Sequence, residues 1–212
     1  MMKGLLTKEF IVFLKTSRTQ IFTILMFIIL GIMMKNIMYI MFIPLLLPMM
    51  AKQGLAVDEI SKWDKYSACF PVDRKKIVSS KYLLIFFISI AAFIITAISI
   101  VILKNFKPDP ENPIGRIAPY LAAAVAESLI LPSLSLPFDF KFGTSKGKVM
   151  YFIATAFAAA LLSATTMLPD KQSILSKISN PSLIITLAFC ISAAVFIVSW
   201  LVSTKIYEAK EI

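Results

Sequence analysis

Glu127 is the only charged residue in the apolar stretch from Ile117 to Phe138, which runs for 22 residues. In hydrocarbon a carboxylate at that depth costs at least about 2.5 kcal/mol, so it must face a helix interior and hold a partner or a proton. Two roles fit that position. One is a contact on a substrate path or gate. The other is a hydrogen-bonded packing group, with Ser128, Ser163 or Thr165 as partners. A second stretch, GTSKGKV from Gly143 to Val149, has the look of a phosphate-binding loop. Such a loop needs four residues between its glycines and a Ser or Thr after the Lys to hold magnesium. Here three residues intervene and Val149 follows Lys148, so these lysines read as an ordinary connection. The chain contains no histidine, which removes histidine-ligated zinc, Ser-His-Asp triads and histidine proton relays. An intramembrane protease would therefore lack its dyad or its metal ligands.

The third stretch is SKWDKYSACFPVDRKKIVSSKYL, residues 61 to 83, which lies between long apolar runs. Trp63 and Tyr66 are three apart and would share a face if Ser61 to Phe70 is helical, with Asp64 and Lys65 beside them and Pro71 ending the helix. Arg74, Lys75 and Lys76 then precede the next apolar run, and Ser79, Lys81 and Tyr82 mark its start. Taken alone, these residues fit an interfacial helix with belt aromatics and topology-setting charges equally well.

The elements that position these residues follow from composition. The chain has 212 residues, 58% of them hydrophobic and 16% charged, which indicates a multi-spanning membrane protein. Net charge is +10, but the Lys and Arg lie between apolar runs, which points to anionic lipid and topology and not to nucleic acid. About 20 helical residues cross a bilayer core of roughly 30 Å. The charge-free windows predict six spans, at about 19–35, 36–52, 80–103, 117–138, 148–168 and 181–204. The first two are short, and snorkelling Lys and Arg would extend them. Lys35-Asn36 predicts a tight turn between them, and Pro44 and Pro48 predict a kinked second span. Before Thr19, Leu6, Phe10 and Phe13 fall at helical spacing with Lys8, Lys15 and Arg18 elsewhere on the wheel, which predicts an interfacial helix. Charges at Lys8, Glu9 and Lys15, with no small-residue cleavage site after them, argue against a cleaved signal peptide.

Alternate loops hold 16 and six Lys and Arg, an asymmetry that places both termini and the 52–81 loop in the cytoplasm. Cys69 lies in that loop and Cys190 in an apolar run, so both are expected reduced. The small-residue runs LAAAVAES and ATAFAAALLSATT suit close helix–helix or subunit contacts. The segment KNFKPDPENPIGR, with three prolines, is expected to be an outer loop.

SKWDKY followed by FPVDRKKIVSSKYL resembles the cytoplasmic segment of permease subunits of type-2 ABC transporters, where W-D-x-Y precedes L-P-V-x-R-x-x-I-V-x-S-K-Y. MKGLL, the following Lys-Glu pair and PLLLPMM fit the same pattern, and Phe70 stands where Leu is more frequent. The resemblance covers the first half; beyond about residue 105 only the spacing of spans matches. It implies an all-α membrane protein with six transmembrane helices forming one permease domain, and a coupling helix between spans two and three. Under the resemblance, Trp63, Asp64, Lys65, Tyr66, Pro71, Arg74 and Lys75 contact a separate ATPase. It implies two cytoplasmic ATPase subunits, which carry the ATP and magnesium, and a second permease copy in the cell membrane. No cofactor is expected in this chain. The closest resemblance is to permeases of phenol-soluble modulin exporters, which implies outward transport of amphipathic peptides. Toxin immunity and lipid or drug export share the scaffold. A secondary transporter fits less well, because midplane charges and inverted-repeat symmetry are sparse.

Overall fold

The computed structural model describes residues 2–67, 69–70, 73–106, 118–167 and 181–209, without the side chains of 19, 64, 104–106, 118, 158–159, 161–167 and 181. Its regular elements are all helices: α1 (Met2–Thr16), α2 (Arg18–Met33), α3 (Ile37–Ile40), α4 (Phe42–Ile60), α5 (Trp63–Ser67), α6 (Arg74–Phe106), α7 (Ala118–Phe142), α8 (Thr144–Met167) and α9 (Pro181–Glu208). Among the described residues four stretches are long and apolar enough to cross a membrane: Ile37–Ile60, Arg74–Leu103, Pro119–Phe142 and Ser182–Glu208. They coincide with four of the six predicted spans. The span predicted at 19–35 falls on α2, which has 16 residues and meets α1 at 65°; counted together the bent pair makes a fifth. The span predicted at 148–168 falls largely on α8, and the expected loops around 107–117 and 168–180 lie outside the described residues.

Local chemistry explains the breaks. Lys35 takes a positive φ of 51°, and the Asn36 side chain caps α3 by accepting from the Met38 amide at 3.0 Å, so the predicted tight turn is present. The chain breaks again at Met41, between α3 and α4. The ring of Pro44 would clash with the carbonyl four residues back, that of Ile40, which is where α3 ends. Pro44 then sits in the first turn of α4, where its missing N–H costs nothing.

The main core is built on Ile40, Ile43, Val78, Ile85, Ala92 and Leu136, which join α3, α4, α6 and α7. Helix α7 packs along both α9 and α8, and Ala122, Ala124 and Ala154 are buried there, so these small residues serve close packing inside the chain. The outer surface is greasy, with Phe22, Met33, Phe87, Phe157 and Ile191 exposed. Hydrocarbon is the solvent that such a surface suits. On α1, Phe13 turns into the core while Phe10 faces outward, and Glu9 is buried. The helix is therefore fastened to the bundle by a charged contact that its apolar periodicity does not announce.

Candidate functional site

After Ile60 the chain reverses at Lys62, whose φ is +53°, and enters the short α5. Five residues are helical where ten were expected. Trp63 is half-buried beneath α1, with Lys8 Nζ 4.4 Å from its ring centroid and the Phe70 ring stacked at 6.4 Å. Lys65 is exposed, and Tyr66 is 63% exposed. The two aromatics thus differ in environment: one pins the loop, the other is presented outward. The Asp64 side chain and Pro71 lie outside the described residues. Leu5, Lys8, Trp63 and Phe70 line a cavity of about 340 Å³ between the loop and α1. Arg74 opens α6 and donates from Nη1 to the Glu208 carbonyl of α9 at 3.0 Å. Lys75 stands 5.7 Å from the Trp200 ring centroid. Both cysteines are free and exposed.

Behind the loop four charges meet. Lys81 is 5% exposed and binds Glu9 at 3.0 Å and also Asp58; Lys8 reaches the same carboxylates, Asp58 at 2.5 Å and Glu9 at 3.1 Å. Two cations and two anions cancel, which is the condition under which buried charge is tolerated. Gly54 of α4 lies beside these charges, where an added Cβ would stand 3.4 Å from Glu9 Oε2. The cluster joins α1, α4 and α6. Sequence reasoning missed it because Glu9 and Lys81 are 72 residues apart. A retrospective signal was present for Lys81 alone, which borders the long apolar run that follows it.

A second buried pair, Lys52 and Asp139 at 2.8 Å, joins α4 to α7. Lys52 also donates to Ser135 Oγ at 2.6 Å and lies 5.1 Å from the Tyr151 ring centroid. The Tyr151 hydroxyl donates to the Leu45 carbonyl at 2.6 Å, which brings in α8. The GTSKGKV stretch forms the turn from α7 into α8. Gly143 has φ +89°, and a carboxylate oxygen of Glu59 accepts from the Thr144 amide at 2.9 Å and the Thr144 hydroxyl at 2.6 Å. The helix end that a phosphate would need is thus occupied by the protein's own anion.

Of the residues expected to mark the start of α6, Lys81 joins the cluster above, and Ser79 and Tyr82 cross-link the helix to α9. The Trp200 indole donates to Ser79 Oγ at 3.2 Å, and the Tyr82 hydroxyl lies 2.8 Å from Ser199 Oγ and 2.7 Å from Ser203 Oγ. Glu127 is half-buried on α7, and its Oε2 finds no hydrogen-bond partner among the described residues. Of its expected partners, Ser128 donates instead to the Val125 carbonyl at 3.1 Å, and the side chains of Ser163 and Thr165 are outside the described residues. A cavity of about 360 Å³ opens between α6, α7 and α9, lined in part by Phe86, Phe93, Phe189, Ser89, Ser128 and Thr186.

The arrangement is mechanical: charged rivets at one end, a fastened loop with an exposed tip, and an apolar hollow above. No curated protein and no solved structure matches the chain. A family model described as ABC-2 family transporter protein matches residues 4–208, nearly the whole length. The chain therefore belongs to the ABC-2 family of transporters, as a multi-pass membrane permease.

Proposed function

We propose that the chain is the transmembrane subunit of an ATP-driven exporter that moves amphipathic peptides out of the cell. It works as a pair of permeases in the cell membrane, with both termini in the cytoplasm. The α5 loop is the coupling element on which each of two ATPase subunits docks, and those subunits bind the ATP and magnesium. One observation carries this reading. The loop is fastened from behind by Trp63, Lys8 and the Lys81 cluster, while Lys65, Tyr66 and Phe70 are exposed at its tip. A stiff base with a free aromatic tip suits transmission of force, because exposed aromatics supply contact area at low entropy cost. The apolar cavity with three phenylalanines suits the apolar face of an amphipathic helix arriving from the bilayer. Glu127, next in sequence to the lining residue Ser128 but not itself lining the cavity, is a contact on the substrate path.

The test is recovery of the ATPase subunit with the affinity-purified permease. Tyr66→Ala with Phe70→Ala is expected to weaken association by about thirtyfold, the effect of about 2 kcal/mol when a buried interface aromatic is truncated. Permease abundance in the membrane should stay normal. Undiminished recovery of the ATPase would sink the coupling assignment. Absence of any co-purifying ATPase with the wild type would instead favour toxin binding without pumping.

A further inference from the structure

Helix α7 carries Pro132 and Pro137 inside its length. A proline has no N–H, so each leaves without a helical donor the carbonyl four residues back, those of Ser128 and Ser133. Inside a membrane such a carbonyl must find another donor. Each finds one on a different helix. Ser89 of α6 donates to the Ser128 carbonyl at 2.7 Å, and Ser199 of α9 donates to the Ser133 carbonyl at 2.5 Å. A hydroxyl has one proton, and that of Ser199 is committed to Ser133. Tyr82 must then donate to Ser199 and accept from Ser203, at 2.8 and 2.7 Å. A directed chain runs from Ser203 through Tyr82 and Ser199 to the point where α7 is free to bend. Ser203, Tyr82, Ser199 and Ser133 are all buried. Tyr82 follows Lys81 directly, and Lys81 is riveted to Glu9 and Asp58 behind the α5 loop.

We propose that Ser199 is a positioning residue for transport: it holds the carbonyl freed by Pro137, is held by Tyr82, and so ties the bending point of α7 to the segment leaving the α5 loop. This rests on the exporter reading for its transport readout but not for its geometry. The clamp spans three helices, α6, α7 and α9. Motion of α6 relative to α9 therefore changes the bend of α7, which carries Glu127 and one wall of the apolar cavity.

The experiment uses the purified permease–ATPase complex in lipid vesicles, with an amphipathic helical peptide as cargo. Two quantities are read: thermal unfolding of the complex, and peptide moved per ATP hydrolysed. Ser199→Ala leaves Tyr82 free to turn its proton to Ser203, so it is expected to lower Tm by about 2 °C and the transport ratio about threefold, the size of the one average interhelical hydrogen bond that is lost. Ser199→Thr, which keeps the hydroxyl, should restore both. In a Pro137→Ala background the restored amide of residue 137 satisfies the Ser133 carbonyl, so Ser199→Ala should then leave Tm nearly unchanged. The transport ratio of that double variant should stay low, because the bend is gone. Additive Tm losses would overturn the clamp whatever the cargo proves to be. Recovery of Tm and transport together in the double variant would reduce Ser199 to a packing residue and overturn the proposal. A wild-type complex whose ATPase ignores amphipathic peptides would count against the peptide reading alone, and the Tm coupling would still decide the clamp.

Discussion

Lys81 is the residue on which the charged end of the bundle turns. Its ammonium group has lost nearly all its water and faces Glu9 and Asp58, with Lys8 closing the set. Removing one member leaves an odd charge behind, and an uncompensated buried charge commonly costs about 3–5 kcal/mol. Lys81→Met should therefore lower the unfolding temperature in detergent sharply. Adding Asp58→Asn restores neutrality, leaving Lys8 with Glu9, and should recover much of the loss. If the double variant is no more stable than Lys81→Met alone, the four residues do not act as one charge-balanced unit. Trp63 belongs to the same argument. It sits between the loop and Lys8, so Trp63→Ala should loosen α1, whereas Tyr66→Ala should spare the fold and act on the partner.

Among the elements, the approach of α8 to α7 depends most on a missing side chain. Gly147 is buried against Asp139, and a Cβ built there would overlap the carboxylate. Gly147→Ala must push α8 away or break the Lys52–Asp139 pair. At Gly4 nothing lies within 4 Å of an added Cβ. Gly4→Ala should thus be neutral or slightly stabilising in helix α1, by about 1 kcal/mol at most, while Gly147→Ala lowers Tm clearly. Equal behaviour of the two would mean that the α7–α8 contact is not as close as described. These elements also show what the sequence could and could not convey. Charge-free windows located α4, α6, α7 and α9, because hydrocarbon penalises charge wherever it falls along the chain. Lys35-Asn36 and Pro44 announced their breaks, because turn chemistry is local. The length of α5 was overestimated, because the contact of Trp63 with Lys8 of α1 and the stacking of Phe70 back on Trp63 are tertiary. The ion pairs were illegible for the same reason: Glu9 meets Lys81 only after three helices have assembled. Ser89 and Ser199 look like ordinary polar residues until the prolines they serve are placed beside them.

At the scale of the molecule, the first quantity to establish is orientation. Cys69 is exposed in the loop, and Cys190 is exposed on the apolar face of α9. With the loop in the cytoplasm, membrane-impermeant thiol reagents should spare Cys69 in intact cells and label it once the membrane is opened. Cys190, facing lipid, should react in neither case. Labelling of Cys69 from outside would reverse the orientation read from 16 against six basic residues. The family assignment would stand, but the loop could no longer meet a cytoplasmic ATPase.

Lys8, Lys52 and Lys81 are counted among the positive charges that orient the chain, yet in the finished bundle each is cancelled by a carboxylate. Synthesis order separates the two duties in time. Lys52 leaves the ribosome 83 residues before Ser135, an interval of roughly 4 to 17 s at cellular translation rates. During that interval it is a bare cation with no Asp139 to meet, and with the loop in the cytoplasm, as proposed, it moors the end of α4 at the inner surface. Arrival of α7 supplies Asp139, the carboxylate with which it is paired in the finished bundle. Biogenesis and mature architecture thus use one lysine in turn, first as an address and then as a fastening.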